Sequence, residues 1–175
     1  DMADDIRKAC TFNPRLSNRK TKEMSEQIDH DENAVSIHVR RGDYLEPKYW
    51  KTTGCVCQLP YYLNAIAEMN KRISQPSYYV FSDDIAWVKE NLPLPKAFFI
   101  DWNKGTESWQ DMMLMSRCRH HIICNSTFSW WGAWLNPREN KTVIMPERWF
   151  RHCETPDICP DKWIKVPINQ PDSIQ

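Results

Sequence analysis

The strongest constraint in this sequence is the rhythm of its short apolar runs. Residues 34–39, 78–81, 97–100, 121–124 and 141–145 are strand-length segments rich in β-branched and aromatic residues, with a further one at 163–166. Between them lie helical patterns too long for hairpins. Pro60 opens the clearest of these, where Tyr62, Leu63, Ile66, Ala67, Asn70 and Ile73 recur at three- and four-residue steps. A helix over 85–91 begins after Ser82, Asp83 and Asp84, which suit its cap, and ends at Pro93 and Pro95. Another is expected over 108–116, with Gln110 and Asp111 in its first turns, and another from Asn125 and Ser126 through Leu135, closed by Asn136 and Pro137. Strands joined by helices require crossovers, so the pattern predicts an α/β fold: a Rossmann-like parallel sheet flanked by helices.

The flanks are less defined. Residues 2–9 read as the end of a helix, 13–22 as a linker, 22–28 as a short helix, and 46–58 as a loose stretch. Residues 1–32 are thus expected to be a linker or the end of a preceding domain, and 33–170 one Rossmann-like unit. No internal repeat and no low-complexity segment interrupts the pattern.

In open parallel sheets, ligands bind beyond the carboxyl ends of the strands. Three strand ends therefore concentrate the candidate chemistry. The first is His38-Val39-Arg40-Arg41-Gly42-Asp43. Alternate side chains of a strand share a face, so His38 and Arg40 point one way and Arg41 the other unless the turn has begun. A guanidinium matches phosphate oxygens as a bidentate fork, and Asp43 is placed to hold one of the two. The second end is Ser82-Asp83-Asp84, whose carboxylates suit a metal-borne diphosphate or hydrogen bonds from a base or ribose. The third is Asn125-Ser126-Thr127-Phe128, where a helix N-terminus and two hydroxyls would receive phosphate. Taken singly, these are also an ordinary ion pair, a helix cap and a capping box. Together they make a nucleoside-diphosphate pocket in which arginine neutralises the leaving group and no metal is required. Trp130, Trp131 and Trp134 follow at core spacing, and one of them could line a sugar site. No GxxxxGK[ST] and no GxGxxG is present, which argues against a P-loop and a dinucleotide fingerprint.

Composition narrows the partners. Twenty-three basic and 23 acidic side chains cancel, so there is no basic excess for nucleic acid or for a polybasic membrane contact. No apolar run approaches the roughly 20 residues that span a bilayer. The profile is that of a cytoplasmic enzyme, at most peripheral at an inner membrane; an excised lumenal domain would look alike. The seven cysteines are irregularly spaced. Cys153 and Cys159 beside His152 resemble half a metal site with no second half, so no metal is expected. Reduced thiols fit a cytoplasmic protein, and a Cys153–Cys159 disulfide fits an oxidising compartment.

The residues HVRRGDY (38–44), FSDD (81–84) and NSTFSWWGAWL (125–135), in that order, closely resemble the α-1,2-fucosyltransferase family, and more distantly the α-1,6- and protein O-fucosyltransferases. The likeness covers residues 35–149. It implies an inverting, metal-independent transferase of the GT-B type that moves L-fucose from GDP-fucose to the 2-hydroxyl of a galactose-type acceptor on an oligosaccharide or glycolipid, with no cofactor. This chain would be the donor-binding half. By the same likeness Arg40 would bind the β-phosphate and His38 would lie near the guanine and the donor. Asp83 or Asp84 would face the guanosine, and Ser126, Thr127 and Phe128 would hold the diphosphate. Relatives place a glutamate in the loop after the arginines. Here Glu46 is the nearest acid but offset, with Lys48 at the expected place, so Asp43, Glu46 and His38 are the candidate bases. Two other readings stand beside this one: a metal-dependent transferase with another nucleotide sugar, and a non-catalytic nucleotide- or carbohydrate-binding module.

Overall fold

The computed structural model describes residues 2–168; the expected domain end at 170 lies outside them. Its centre is a six-stranded, all-parallel sheet in the order β3-β2-β1-β4-β5-β6, built from β1 (Ala34–Val39), β2 (Ser77–Ser82), β3 (Ala97–Ile100), β4 (His120–Ile122), β5 (Val143–Pro146) and β6 (Ile164–Val166). The strands expected from the apolar runs are all present. The chain order reverses direction across the sheet between β1 and β4, and this is where a crevice opens in such folds.

Helices cover both faces, so β1 is buried along its whole length, as a central parallel strand must be. The helices are α1 (Met2–Ala9), α2 (Arg19–His30), a single turn α3 (Pro47–Tyr49), α4 (Leu59–Arg72), α5 (Ile85–Asn91), α6 (Trp109–Arg117) and α7 (Thr127–Leu135). On one face, Val35, Ile37 and Val39 of β1 pack with Tyr62, Ile66 and Met69 of α4 and Val88 of α5. On the other, Ala34 of β1 and Tyr79 and Phe81 of β2 pack with Ile28 of α2 and Leu114 and Met115 of α6. The buried stripe of α4 is Tyr61, Tyr62, Ala65, Ile66 and Met69, while Leu63 is exposed. The stripe is therefore turned by about one residue from the expected one, which lets both tyrosines face the sheet.

Two flanking segments are more ordered than the sequence suggested. Helix α2 starts at Arg19, inside the stretch expected as a linker, because the Asn18 side chain accepts a hydrogen bond from Thr21 N at 2.9 Å. The stretch 46–58 holds α3 and a π-helical turn at Trp50–Gly54. Gly54 is required there, since a Cβ would stand 1.8 Å from the carbonyl oxygen of Tyr44. Cys55, Cys57, Cys118 and Cys124 are buried, whereas Cys10 and Cys153 are exposed. Among the described residues, no helix is long and apolar enough to cross a membrane.

The tryptophans of α7 are mainly structural. Trp130 stacks on Trp134 with ring centroids 6.0 Å apart, meets Trp163 at 5.6 Å, and donates its indole N–H to Ile158 O at 2.7 Å. Arg7 of α1 lies 4.6 Å over the Trp134 ring, which fastens the N-terminal helix to the same cluster.

Candidate functional site

The carboxyl ends of β1, β2 and β3 and the start of α7 enclose a cleft of about 860 Å³. Its walls hold His38, Arg40, Asp43 and Tyr44 from the β1 end, Phe81, Ser82 and Asp83 from β2, and Ser126 and Phe128 from α7. All three strand ends singled out from sequence thus meet in one place. The size suits a nucleotide, and the opening lies where parallel sheets bind ligands.

The two adjacent arginines have different surroundings. Arg40 reaches into the cleft, with Nε donating to Asp43 Oδ1 at 2.9 Å and Nη1 3.3 Å from Asp83 Oδ2. Its side chain keeps over a third of its surface, so these ion pairs are of the weak, solvent-screened kind and can be exchanged for a ligand's charge. Arg41 turns to the other side, as strand alternation predicts. It pairs with Asp84 Oδ2 at 3.1 Å, and its guanidinium stacks on Trp87. It does not line the cleft.

The carboxylates of the β2 end are shared between the arginines and the backbone. Asp83 Oδ1 accepts from the Arg41 backbone N–H at 2.8 Å, while Oδ2 faces Arg40. Gly42 makes this possible, because a Cβ there would stand 2.7 Å from Asp83 Oδ2. Asp84 caps α5, accepting from Trp87 N at 3.1 Å. Asp84 therefore acts as both cap and arginine partner, outside the cleft, and Ser82 steadies it by accepting from Asp84 N at 2.9 Å.

At the third strand end, Ser126 is the N-cap of α7 but makes no side-chain cap bond, so its hydroxyl does not occupy the first amides of the helix, and Ser126 and Phe128 line the cleft there. Phe128 lies against His38, with ring centroids 5.7 Å apart. Thr127 is exposed and lies off the cleft wall. Asn125 is buried, and its side-chain Nδ2 donates to Thr53 O and Trp149 O, both at 3.0 Å, while its backbone carbonyl accepts from Tyr44 O–H at 3.0 Å. Asn125 thus ties three loops together beneath the cleft. Glu46 is exposed, pairs with Lys48 at 3.2 Å, and is absent from the cleft wall.

Burial lowers the His38 pKa to about 4, with Asp83 opposing and Arg40 reinforcing the shift, so the ring is neutral at physiological pH. Burial raises Tyr44 to about 12. Among the described residues, no group of three His, Cys, Asp or Glu side chains stands close enough to hold a metal ion.

The far wall was not anticipated. Asp101, Asn103, Lys104, Ser108 and Asp111 follow β3 and complete the cleft. The Asp111 carboxyl accepts from Asn103 Nδ2 at 2.8 Å, and burial raises its pKa to about 7. The Asn103 carbonyl oxygen accepts from Asn18 Nδ2 at 2.8 Å and Thr21 Oγ at 3.1 Å, which fixes the amide so that its N–H points at Asp111. The signal was available: β3 is a strand end too, and the polar run DWNKGTES follows it directly.

The sequence matches the model of glycosyl transferase family 11 over residues 2–166. It is 37% identical over 159 residues to the Alpha-1,2-colitosyltransferase of Escherichia coli, covering 89% of this chain and 54% of that protein. It is 36% identical over 140 residues to the O-antigen biosynthesis glycosyltransferase WbnK of Escherichia coli, covering 79% of this chain and 46% of that protein. It is 34% identical over 111 residues to Galactoside alpha-(1,2)-fucosyltransferase 1 of Ateles belzebuth, covering 61% and 30% respectively. The chain spans about half, or less, of the length of these relatives.

Proposed function

This chain belongs to glycosyl transferase family 11, and on that premise we propose that it is the donor-binding unit of an inverting α-1,2-fucosyl-type transferase that takes GDP-fucose and a galactose-type acceptor. The observation that carries the reading is Arg40, a partly exposed guanidinium at the end of the central strand, sharing one cleft with Ser126, whose hydroxyl makes no cap bond at the start of α7. A diphosphate lying between them replaces the Asp43 and Asp83 partners with a stronger charge-assisted pair.

In this mechanism the bond from fucose C1 to the β-phosphate oxygen breaks with its electron pair going to the phosphate. Arg40 and the α7 amides are already in place for that charge, so little reorganisation is required. The acceptor hydroxyl attacks C1 from the opposite face and gives its proton to a carboxylate. Of the two acids considered from sequence, Asp43 lines the cleft and Glu46 does not, which favours Asp43. The acceptor, an oligosaccharide or glycolipid, is held with residues of the longer protein.

The base is read at the far wall. Guanine offers adjacent N1–H and 2-amino donors, and a carboxylate accepts both. Of the cleft carboxyls, Asp43 and Asp83 are paired with Arg40, while Asp101 and Asp111 carry no arginine among the described residues; Asp111 is the one oriented by a side-chain N–H, from Asn103, so it is the better guanine acceptor, and Asp83 serves the arginines. Arginine neutralisation makes a divalent cation unnecessary. We place the reaction in the cytoplasm, where nucleotide sugars are made. Calorimetry with GDP, UDP, GDP-fucose and free sugars tests the reading. Preference for GDP over UDP, with affinity for both weakened in Arg40→Ala, supports it, and free-sugar binding with no nucleotide binding refutes it. The relatives' names differ between colitose and fucose, so transfer assays should offer both GDP-sugars.

A further inference from the structure

Cys124 lies at the carboxyl end of β4, fully buried, between the β1 end and the first turn of α7. Its Sγ is 3.3 Å from His38 Nδ1 and 3.7 Å from Ser129 Oγ, and the backbone N–H of Arg40 is directed at the sulfur. The protons in this cluster can be assigned from their partners. Ser129 has one, and carbonyl oxygens of Ser126 at 3.1 Å and Cys124 at 3.4 Å to receive it. The sulfur accepts from Arg40. Burial raises the thiol to about 11, so it keeps its own proton at neutral pH, and the nearest strong acceptor is His38 Nδ1. The opposite arrangement, with Nδ1–H donating, would crowd two donors onto one neutral sulfur and leave the S–H only the longer contact to Ser129.

We infer that Cys124 is a positioning residue that makes His38 Nδ1 an acceptor and so fixes the ring as a neutral Nε2–H donor facing the cleft. A histidine in that form has no free nitrogen on the cleft side. It gives a hydrogen bond to an oxygen of the bound nucleotide sugar and does not take the acceptor's proton, which falls to a carboxylate. The ligand half of this statement rests on the function proposed above; the tautomer does not.

Long-range ¹H–¹⁵N correlation on the ligand-free chain reads the tautomer directly, with the His38 signals assigned by their loss in His38→Gln. The expected spectrum has a protonated Nε2 and a bare Nδ1. Cys124→Ser keeps a donor and the same pattern. Cys124→Ala removes the donor, mixes the two tautomers and weakens GDP binding about 3- to 10-fold, the usual range for one hydrogen bond, and serine restores the affinity. A role in packing alone would not move the tautomer. A wild-type His38 carrying its proton on Nδ1 overturns the inference, as does an alanine variant with an unchanged tautomer. Should the alanine variant fail to fold, the wild-type and serine spectra still decide. A protonated Nε2 in a chain that does not bind GDP supports the inference and refutes the proposed function.

Discussion

The guanidinium of Arg41 lies 4.0 Å from the centroid of the Trp87 ring, stacked and tied to Asp84, while that of the preceding residue, Arg40, reaches into the cleft. Two identical side chains in sequence therefore have separable surroundings, one holding α5 to the β1 end and the other lining the cleft, where the proposed function puts the diphosphate. Arg40→Ala should leave the melting temperature nearly unchanged and reduce GDP-fucose turnover about 10²- to 10³-fold. Arg41→Ala should do the reverse, costing about 1–2 kcal/mol of stability through the lost stack and partly buried pair, with a smaller loss of affinity. Thermal denaturation and calorimetry on both variants check the split.

Gly42→Ala should impair the site without unfolding the chain. The new Cβ would stand 2.7 Å from Asp83 Oδ2 and push the carboxylate off both arginines. GDP affinity should fall about 3- to 10-fold, as for loss of one or two hydrogen bonds. The effect should not add to that of Asp83→Ala, because both variants remove the same contacts. A double-mutant cycle by calorimetry measures this.

Gly54→Ala should be a folding mutant. Its Cβ meets a backbone oxygen at 1.8 Å, which no side-chain rotation relieves, so the π-helical turn must rearrange. A loss of more than about 2 kcal/mol is expected from such a clash in a packed site, and denaturant unfolding reads it.

Asp111 predicts two opposite pH trends. Its carboxyl is raised to about 7 in the fold, so its contribution to stability is full below the unfolded carboxylate range and is lost as pH rises through about 7. GDP, donating to the ionised form, should bind more tightly as pH rises from about 6 to about 8 on that same titration. Asp111→Asn should flatten both dependences, apart from the titration of GDP itself. His38 runs the other way: lowered to about 4, it contributes stability above its unfolded value of about 6.5, and that stability is lost as pH falls toward about 4. His38→Gln should lack this acid loss in pH-dependent denaturation.

If arginine alone neutralises the leaving diphosphate, EDTA should leave transfer unchanged in the protein. Strict manganese dependence would favour the metal-using alternative.

The sheet was legible because central parallel strands must be apolar on both faces, and Ala34–Val39 is such a run. The cleft was legible to the extent that strand ends line such openings, which pointed to Arg40, His38, Asp83 and Ser126, all of them on its wall. Strand alternation predicted the divergence of Arg40 and Arg41, but sequence carries no sign that Trp87, in the first turn of α5, would accept Arg41. The buried role of Asn125 and the rotation of α4 depend on packing against distant segments. Asp111 was seen only as a first-turn acid, because its burial comes from the loop after β3 folding over it.

The bonds from Asn18 and Thr21 to the Asn103 amide have a practical consequence for where the proposed donor-binding unit begins. A chain trimmed to the first recognisable motif, near Val35, would keep every strand and both arginines. It would also release Asn103 to flip, leaving Asp111 without the N–H that orients it. A minimal nucleotide binder should therefore start ahead of α2, and a version cut behind that helix should lose its preference for guanine before it loses its grip on phosphate.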